Sequence, residues 1–310
     1  MRFVPDASPH VPTPSGVPSH PLIFAHRTGE WDLRERPRIV GVLNLTPDSF
    51  YDGGRYATPD AALARAEQMI AEGADAIDVG GQSTRPGGAP VRADKEWLRV
   101  EPALRLIVKR SPVPLSIDTY HASVARRALD SGVAIVNDVS GLGVDPSIAD
   151  EAARAGAGLV LMHSRGAPAD LHAPRDYADV AADVSDFLAE RLSLAVSRGV
   201  LRERTAFDPG IGFSKRAEQS IHALRGIVRL AELGRPIYVG LSRKSFLGAL
   251  TGAPAEGRLA AGLGAAVAAY ALGARIFRTH DVRETVECLR VARSLLGPAP
   301  VESPEIGVGA

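Results

Sequence analysis

Ile39-Val40-Gly41-Val42-Leu43-Asn44, then an amphipathic stretch over 59–72, then Ala76-Ile77-Asp78-Val79-Gly80 follow one another in this chain. Each short run is mainly apolar and does not alternate, as expected of parallel strands buried on both faces. Between the runs, Pro59 stands at a helix-start position and Gly73 just past the helix end. The expected unit is therefore a strand, a crossover helix and a second parallel strand. Outward from this unit the rhythm repeats. Further strands are expected at 115–118, 135–138, 159–163, 205–208, 237–240 and 275–279. Helical patterns lie at 94–109, 122–131, 146–155, 177–197, 217–233, 258–272 and 282–296. Eight strand–helix pairs predict an α/β fold of the (β/α)₈ TIM-barrel type. From the pattern alone, a doubly wound open sheet remains the second reading. No G-x-G-x-x-G follows the first run, and Gly53-Gly54 belong to a long loop, so a dinucleotide site is disfavoured.

The 310 residues suit one large α/β domain or two small ones. Residues 1–21 carry six prolines among few apolar residues and read as a disordered tail. Residues 22–25, a turn at 28–29 and residues 31–33 read as a short hairpin. A single barrel domain is expected over 22–297, with a flexible C-terminal tail at 298–310. The 36 basic residues balance the 36 acidic ones, so no basic patch argues for nucleic acid, and any anion site must be local. The longest apolar runs, such as 263–272, fall far below the ~20 residues of a membrane span. Residues 1–6 show no apolar signal segment, and Cys288 has no partner for an internal disulfide. Both observations fit a cytoplasmic protein. Cys288 falls in the last helix and reads as a buried structural thiol.

Polar residues gather where the strands end. The ends carry Asn44, then Gly80-Gly81-Gln82, Asp118, Asn137-Asp138, Met162-His163, Asp208, Ser242-Arg243-Lys244 and Arg278 with His280. In a (β/α)₈ barrel these ends share one rim, and that rim holds the active site. A lone Asp or Asn after a strand is more often a helix N-cap than a ligand. Coincidence at every strand is harder to read that way. A buried Asp118 needs a partner, which a ligand rich in N–H groups would supply. Lys244, Arg243, Arg278 and His280 follow the last two strands, where barrels often bind phosphate. The loops after the first two strands are long and rich in Gly and Pro, a composition suited to lids.

The chain resembles the dihydropteroate synthases. The resemblance rests on Asn44-Leu45-Thr46-Pro47-Asp48-Ser49-Phe50-Tyr51-Asp52-Gly53-Gly54 and on 78–87, Asp78-Val79-Gly80-Gly81-Gln82-Ser83-Thr84-Arg85-Pro86-Gly87. It continues through Ser116-Ile117-Asp118-Thr119, Asn137-Asp138-Val139-Ser140, Leu161-Met162-His163, Asp208-Pro209-Gly210-Ile211-Gly212-Phe213, Ser242-Arg243-Lys244-Ser245 and Arg278-Thr279-His280-Asp281-Val282. It implies condensation of 6-hydroxymethyl-7,8-dihydropterin diphosphate with p-aminobenzoate, assisted by Mg²⁺, in folate biosynthesis. Asp118, Asn137, Asp208 and Lys244 would then bind the pterin, with Met162 against its ring. Asn44, Arg278 and His280 would hold diphosphate, with Mg²⁺ near Asn44. Phe50, Thr84, Arg85, Pro86, Phe213 and Ser242 would form the p-aminobenzoate pocket, and Asp52 would meet Arg85 across two lids. The family further implies a homodimer and a sulfonamide target. Three positions depart from its pattern: Gln82 for Glu, Thr279 for Val, and Ala261-Gly262 for Gly-Ser. Two rival readings are a pterin-binding methyltransferase-type domain and a non-catalytic paralogue.

Overall fold

The computed structural model describes residues 22–46, 58–82, 90–166 and 168–296. Its sheet is a closed barrel of parallel strands. In order around the barrel from β3 these are β3 (Arg38–Asn44), β4 (Ala76–Gly80), β5 (Leu115–Asp118), β6 (Ile135–Asp138), β7 (Gly158–Met162), β8 (Thr205–Asp208), β9 (Ile237–Gly240) and β10 (Ala274–Thr279). Pairing of β10 with β3, Arg278 beside Val40, closes the ring and rules out the open sheet. The fold is the (β/α)₈ barrel expected. An antiparallel hairpin precedes it, β1 (Ile23–His26) and β2 (Gly29–Asp32). The tails at 1–21 and 298–310 lie outside the described residues.

Helices cover the outer face: α1 (Pro59–Ala71), α2 (Ala93–Arg110), α3 (Ala122–Asp130), α4 (Ser147–Ala155), α5 (Val180–Ser197), α6 (Ala217–Arg225), α7 (Ile227–Ala231), α8 (Ser245–Thr251), α9 (Leu259–Ala271) and α10 (Val282–Leu296). Local chemistry sets their ends. Thr58 caps α1 through Ala61 N–H, with Pro59 in the first turn. Asp179 accepts from the N–H groups of Ala181 and Ala182, so α5 begins at Val180 and not at 177. The helix expected over 217–233 breaks at Gly226. A Cβ there would come within 2.6 Å of Ala181 Cβ on α5, so the close approach requires glycine. The short helix α8 follows Lys244, in a stretch for which the sequence pattern assigns no element. No helix among the described residues is long and apolar enough to cross a membrane.

Apolar side chains divide into two layers. Between strands and helices lies the larger core, including Leu43, Ile77, Ile117, Leu159, Phe207 and Val239. Inside the barrel, Val40, Ala76, Ile135, Val160, Ala206, Tyr238 and Ile276 fill the cross-section. Phe24 and Trp31 of the hairpin join this inner cluster, their rings 5.7 Å apart. The hairpin therefore plugs the N-terminal end of the barrel. Arg235 donates to Ile23 O at 2.7 Å and fastens β1 to it. The opposite end is left to polar side chains.

Candidate active site

Alternate residues of each strand point inward, and above the apolar plug those positions turn polar. Asp78, Asp118, Asn137 and Asp208 are all buried there. The register aligns them: Gly80 pairs with Asp118, Asp118 with Asn137, and Met162 with Asp208. Arg278 from β10 reaches across this ring. Its Nε donates to Asp78 Oδ2 at 2.6 Å and its Nη2 to Asp118 Oδ2 at 2.8 Å. Asn137 Nδ2 also donates to Asp78 Oδ2, at 3.1 Å. Burial alone would lower the Arg278 pKa, but the two carboxylates outweigh it and hold the guanidinium above its ordinary value. Arg278 is thus no solvated rim cation, as it binds inside the mouth.

The carboxylates feel opposing forces. Burial pushes Asp118 up, Arg278 pulls it down, and Asp78 and Asp138 push it further up; the net direction is upward. Burial raises Asp208 to about 6 against the Gly210 N–H, which its Oδ1 accepts at 2.7 Å, and against Lys244, Lys215 and Arg278. Lys244 lies 4.1 Å from the centroid of the Phe213 ring, a cation–π approach. Burial lowers Lys244 to about 8, with Asp208 opposing. A mouth of poised carboxylates, an amide and an ammonium can bind a flat heterocycle with donors and acceptors on its edge. Met162 clusters with Tyr120, Val139, Leu171 and Phe213 and supplies an apolar face beside it.

The last two strand ends build a second group. Ser242 Oγ donates to Asp281 Oδ2 at 3.2 Å and lies 3.2 Å from His280 Nδ1. Arg243 pairs with Asp281 at 2.8 Å, from a backbone φ of 61°. Asn44 ends β3, and its Oδ1 lies 3.7 Å from where a Cβ on Gly80 would sit; Asp118 Oδ2 lies at the same distance. Both are ordinary contact distances, so Asn44 and Asp118 flank Gly80 closely.

A family model described as "Pterin binding enzyme" matches residues 40–280. The dihydropteroate synthase of Synechocystis is 42% identical over 266 residues, covering 86% of this chain and 92% of its own. The chain belongs to the dihydropteroate synthase family.

It is accordingly a transferase of folate biosynthesis. A structure of the Xanthomonas albilineans dihydropteroate synthase in complex with 7,8-dihydropteroate superposes with a TM-score of 0.76 at 38% identity, covering 86% of this chain and 95% of that one. The Yersinia pestis dihydropteroate synthase, solved with a sulfonamide drug complex, has a TM-score of 0.83 at 36% identity, covering 88% and 98%.

Of the residues that the dihydropteroate synthase pattern picks out, Asn44, Asp118, Asn137, Met162, Asp208, Phe213, Ser242, Lys244, Arg278 and His280 all lie at the C-terminal mouth of the barrel. Phe50, Asp52, Thr84, Arg85 and Pro86 lie outside the described residues. Asp138, beside Asn137, points away: it accepts from Ser140 N at 2.8 Å and Leu142 N at 2.6 Å and shapes the turn. Thr279 also turns outward, to Thr285 Oγ1 at 3.1 Å. Gln82 accepts from Tyr120 O–H at 2.8 Å and from Val91 N–H at 3.4 Å, so its amide ties the two flanks of residues 83–89. Cys288 is half-buried rather than buried, on α10 facing Leu263 O. The sequence pattern gives no role to Asp78, Asp281 or Lys215. Asp78 carries a signal, being an acid in the middle of an otherwise apolar strand; Asp281 and Lys215 stand in loops, and their partners lie far along the chain.

Proposed function

We propose that the chain condenses 6-hydroxymethyl-7,8-dihydropterin diphosphate with p-aminobenzoate to give 7,8-dihydropteroate and diphosphate. One observation carries the reading: Asp118, Asn137, Asp208, Lys244 and Arg278 converge in one barrel mouth, with Met162 beside them. The carboxylates and Asn137 match the donor-rich edge of a pterin, and Lys244 an acceptor such as its oxo group. Arg278 and His280, with Asn44, suit the diphosphate. Phe213 and Ser242 would make the p-aminobenzoate side; Phe50, Asp52, Thr84, Arg85 and Pro86, which the family pattern assigns to it, lie outside the described residues.

The aniline nitrogen bonds to the pterin methylene. The C–O bond to diphosphate breaks with its electron pair leaving on oxygen, and the nitrogen releases one proton. No enzyme group becomes covalently attached. The chain contributes position and charge. Ionised Asp118 and Asp208 favour positive charge on the pterin, so the leaving group departs before attack. Slow diphosphate release without p-aminobenzoate is expected, and its complete absence overturns this order.

Mg²⁺ fits as a cation shared with the diphosphate. Among the described residues no three His, Cys, Asp or Glu side chains group as ligands, so a protein-only cage is not offered. The Asn44 amide oxygen is a hard donor suited to an ion that keeps several waters. Bound there, Mg²⁺ would neutralise charge on the departing diphosphate.

We infer a homodimer from the outer face of α9 and α10. Helix α9 carries no charged residue, and Leu259, Val291 and Leu295 are exposed. The cytoplasm suits a lone thiol such as Cys288. The deciding experiment mixes the chain with both substrates and Mg²⁺ and follows diphosphate. Release that depends on p-aminobenzoate supports the reading; pterin binding without turnover favours a binding protein.

A further inference from the structure

Lys215 takes no part in the scheme above. It ends the loop after β8, yet it is only 6% exposed and runs behind that loop. Its ammonium donates to Gly210 O at 3.0 Å and to Phe213 O at 3.2 Å, and lies 2.8 Å from His163 Nδ1. A lysine ammonium only donates, so Nδ1 accepts. A neutral His163 then carries its proton on Nε2, 3.3 Å from Asp183 Oδ1. Burial and the neighbouring Lys215 and Arg165 push His163 far below its ordinary range, in keeping with a neutral ring. Arg165 closes on the other oxygen of Asp183. A line from Asp183 through His163 to Lys215 thus runs from α5 to the underside of the β8 loop.

That loop needs ties. Gly210, Gly212 and Ser214 all have positive φ. The Gly210 unit is gripped twice: its N–H by Asp208 and its carbonyl by Lys215. A side chain at 210 would overlap the His163 carbonyl, so the two loops pack in direct contact. Phe213, also gripped by Lys215, carries the ring that faces Lys244.

We propose that Lys215 is a positioning residue of the pterin site, which holds the β8 loop by two carbonyls and supplies positive charge that favours ionised Asp208. The proposal rests on the reading of Asp208 as a pterin ligand. Among the described residues, Lys244, Lys215 and Arg278 are cations that act on Asp208. Lys215 in turn is acted on by Asp208 and Asp183, by Lys244 and Arg165, and touches His163. Burial lowers Lys215 to about 7, so it is largely charged where Asp208, at about 6, titrates.

The test is the pH dependence of 6-hydroxymethylpterin binding to the full chain, followed by calorimetry. In Lys215→Met the acid limb moves up by roughly one pH unit, the usual effect of losing a close opposite charge. In Lys215→Arg it stays within a few tenths of the wild type. Asp183→Asn weakens the hold on the Lys215 proton and moves the limb the same way by less. A Lys215→Met limb that coincides with wild type overturns the proposal. If that variant does not fold, an unmoved limb in Asp183→Asn overturns it instead. Wild-type protein that binds no pterin sinks the reading of the site, a result distinct from either.

Discussion

At the scale of single residues, the site is a contest between desolvation and charge. Asp118 and Asp208 are buried and hold protons more tightly than in the unfolded chain. An acid with a raised folded-state pKa binds more protons folded than unfolded between the two values. Stability of the empty protein therefore falls as pH rises from about 4 to about 7, as far as these groups decide it. Pterin binding has the opposite slope, since the ionised carboxylates accept its N–H groups. Affinity for 6-hydroxymethylpterin is expected to rise between pH 5.5 and 7.5, read by calorimetry; a flat profile contradicts ionised acceptors. Lys244→Ala and Arg278→Ala should each lower turnover by roughly 10²-fold or more, as when one charge-stabilising group is removed. Wild-type-like rates in both would sink the assignment. Residue identities at the strand ends were legible in the chain because chain order alone puts them on one rim. The role of Asp78 was not, because it depends on Arg278, 200 positions away, crossing the mouth. Lys215 was hidden for a similar reason: its burial comes from His163, 52 positions away.

At the scale of elements, strand and helix types follow the apolar rhythm closely, and the departures have local causes. A periodic pattern does not reveal the neighbour that interrupts it. The 217–233 pattern is helical throughout, but α5 presses against it at Gly226. The same physics makes a prediction. Gly226 has φ −70°, a helical value that alanine also adopts, and alanine is the better helix former by up to ~1 kcal/mol. Packing opposes that gain, since the added Cβ would meet Ala181 at 2.6 Å. Overpacking of this kind costs about 1–3 kcal/mol, so Gly226→Ala should unfold at lower urea despite its better propensity. A higher midpoint would mean that α5 gives way freely. The helix α8 is not legible for another reason: only seven residues long, it has too few turns for a period to appear.

At the scale of the whole molecule, the barrel separates what holds it together from what acts. The hairpin closes one end with Phe24, Trp31 and Leu33 packed on the inner cluster, while the candidate site occupies the other end. The two share strands but no side chains. Trp31 is 6% exposed and meets Phe24, His26 and the guanidinium of Arg38. Removing such a ring leaves a cavity that the surrounding strands cannot fill, so Trp31→Ala should cost about 3–5 kcal/mol in urea unfolding. The mouth should be spared, because Asp118, Asn137 and Asp208 lie at the opposite strand ends and take their partners from Arg278, from Asp78 and from the β8 loop. At a temperature where the variant remains folded, its affinity for 6-hydroxymethylpterin should stay within about two-fold of wild type, less than half a kcal/mol. A loss of affinity that tracks the loss of stability would show instead that the plug sets the geometry of the mouth through the strands they share.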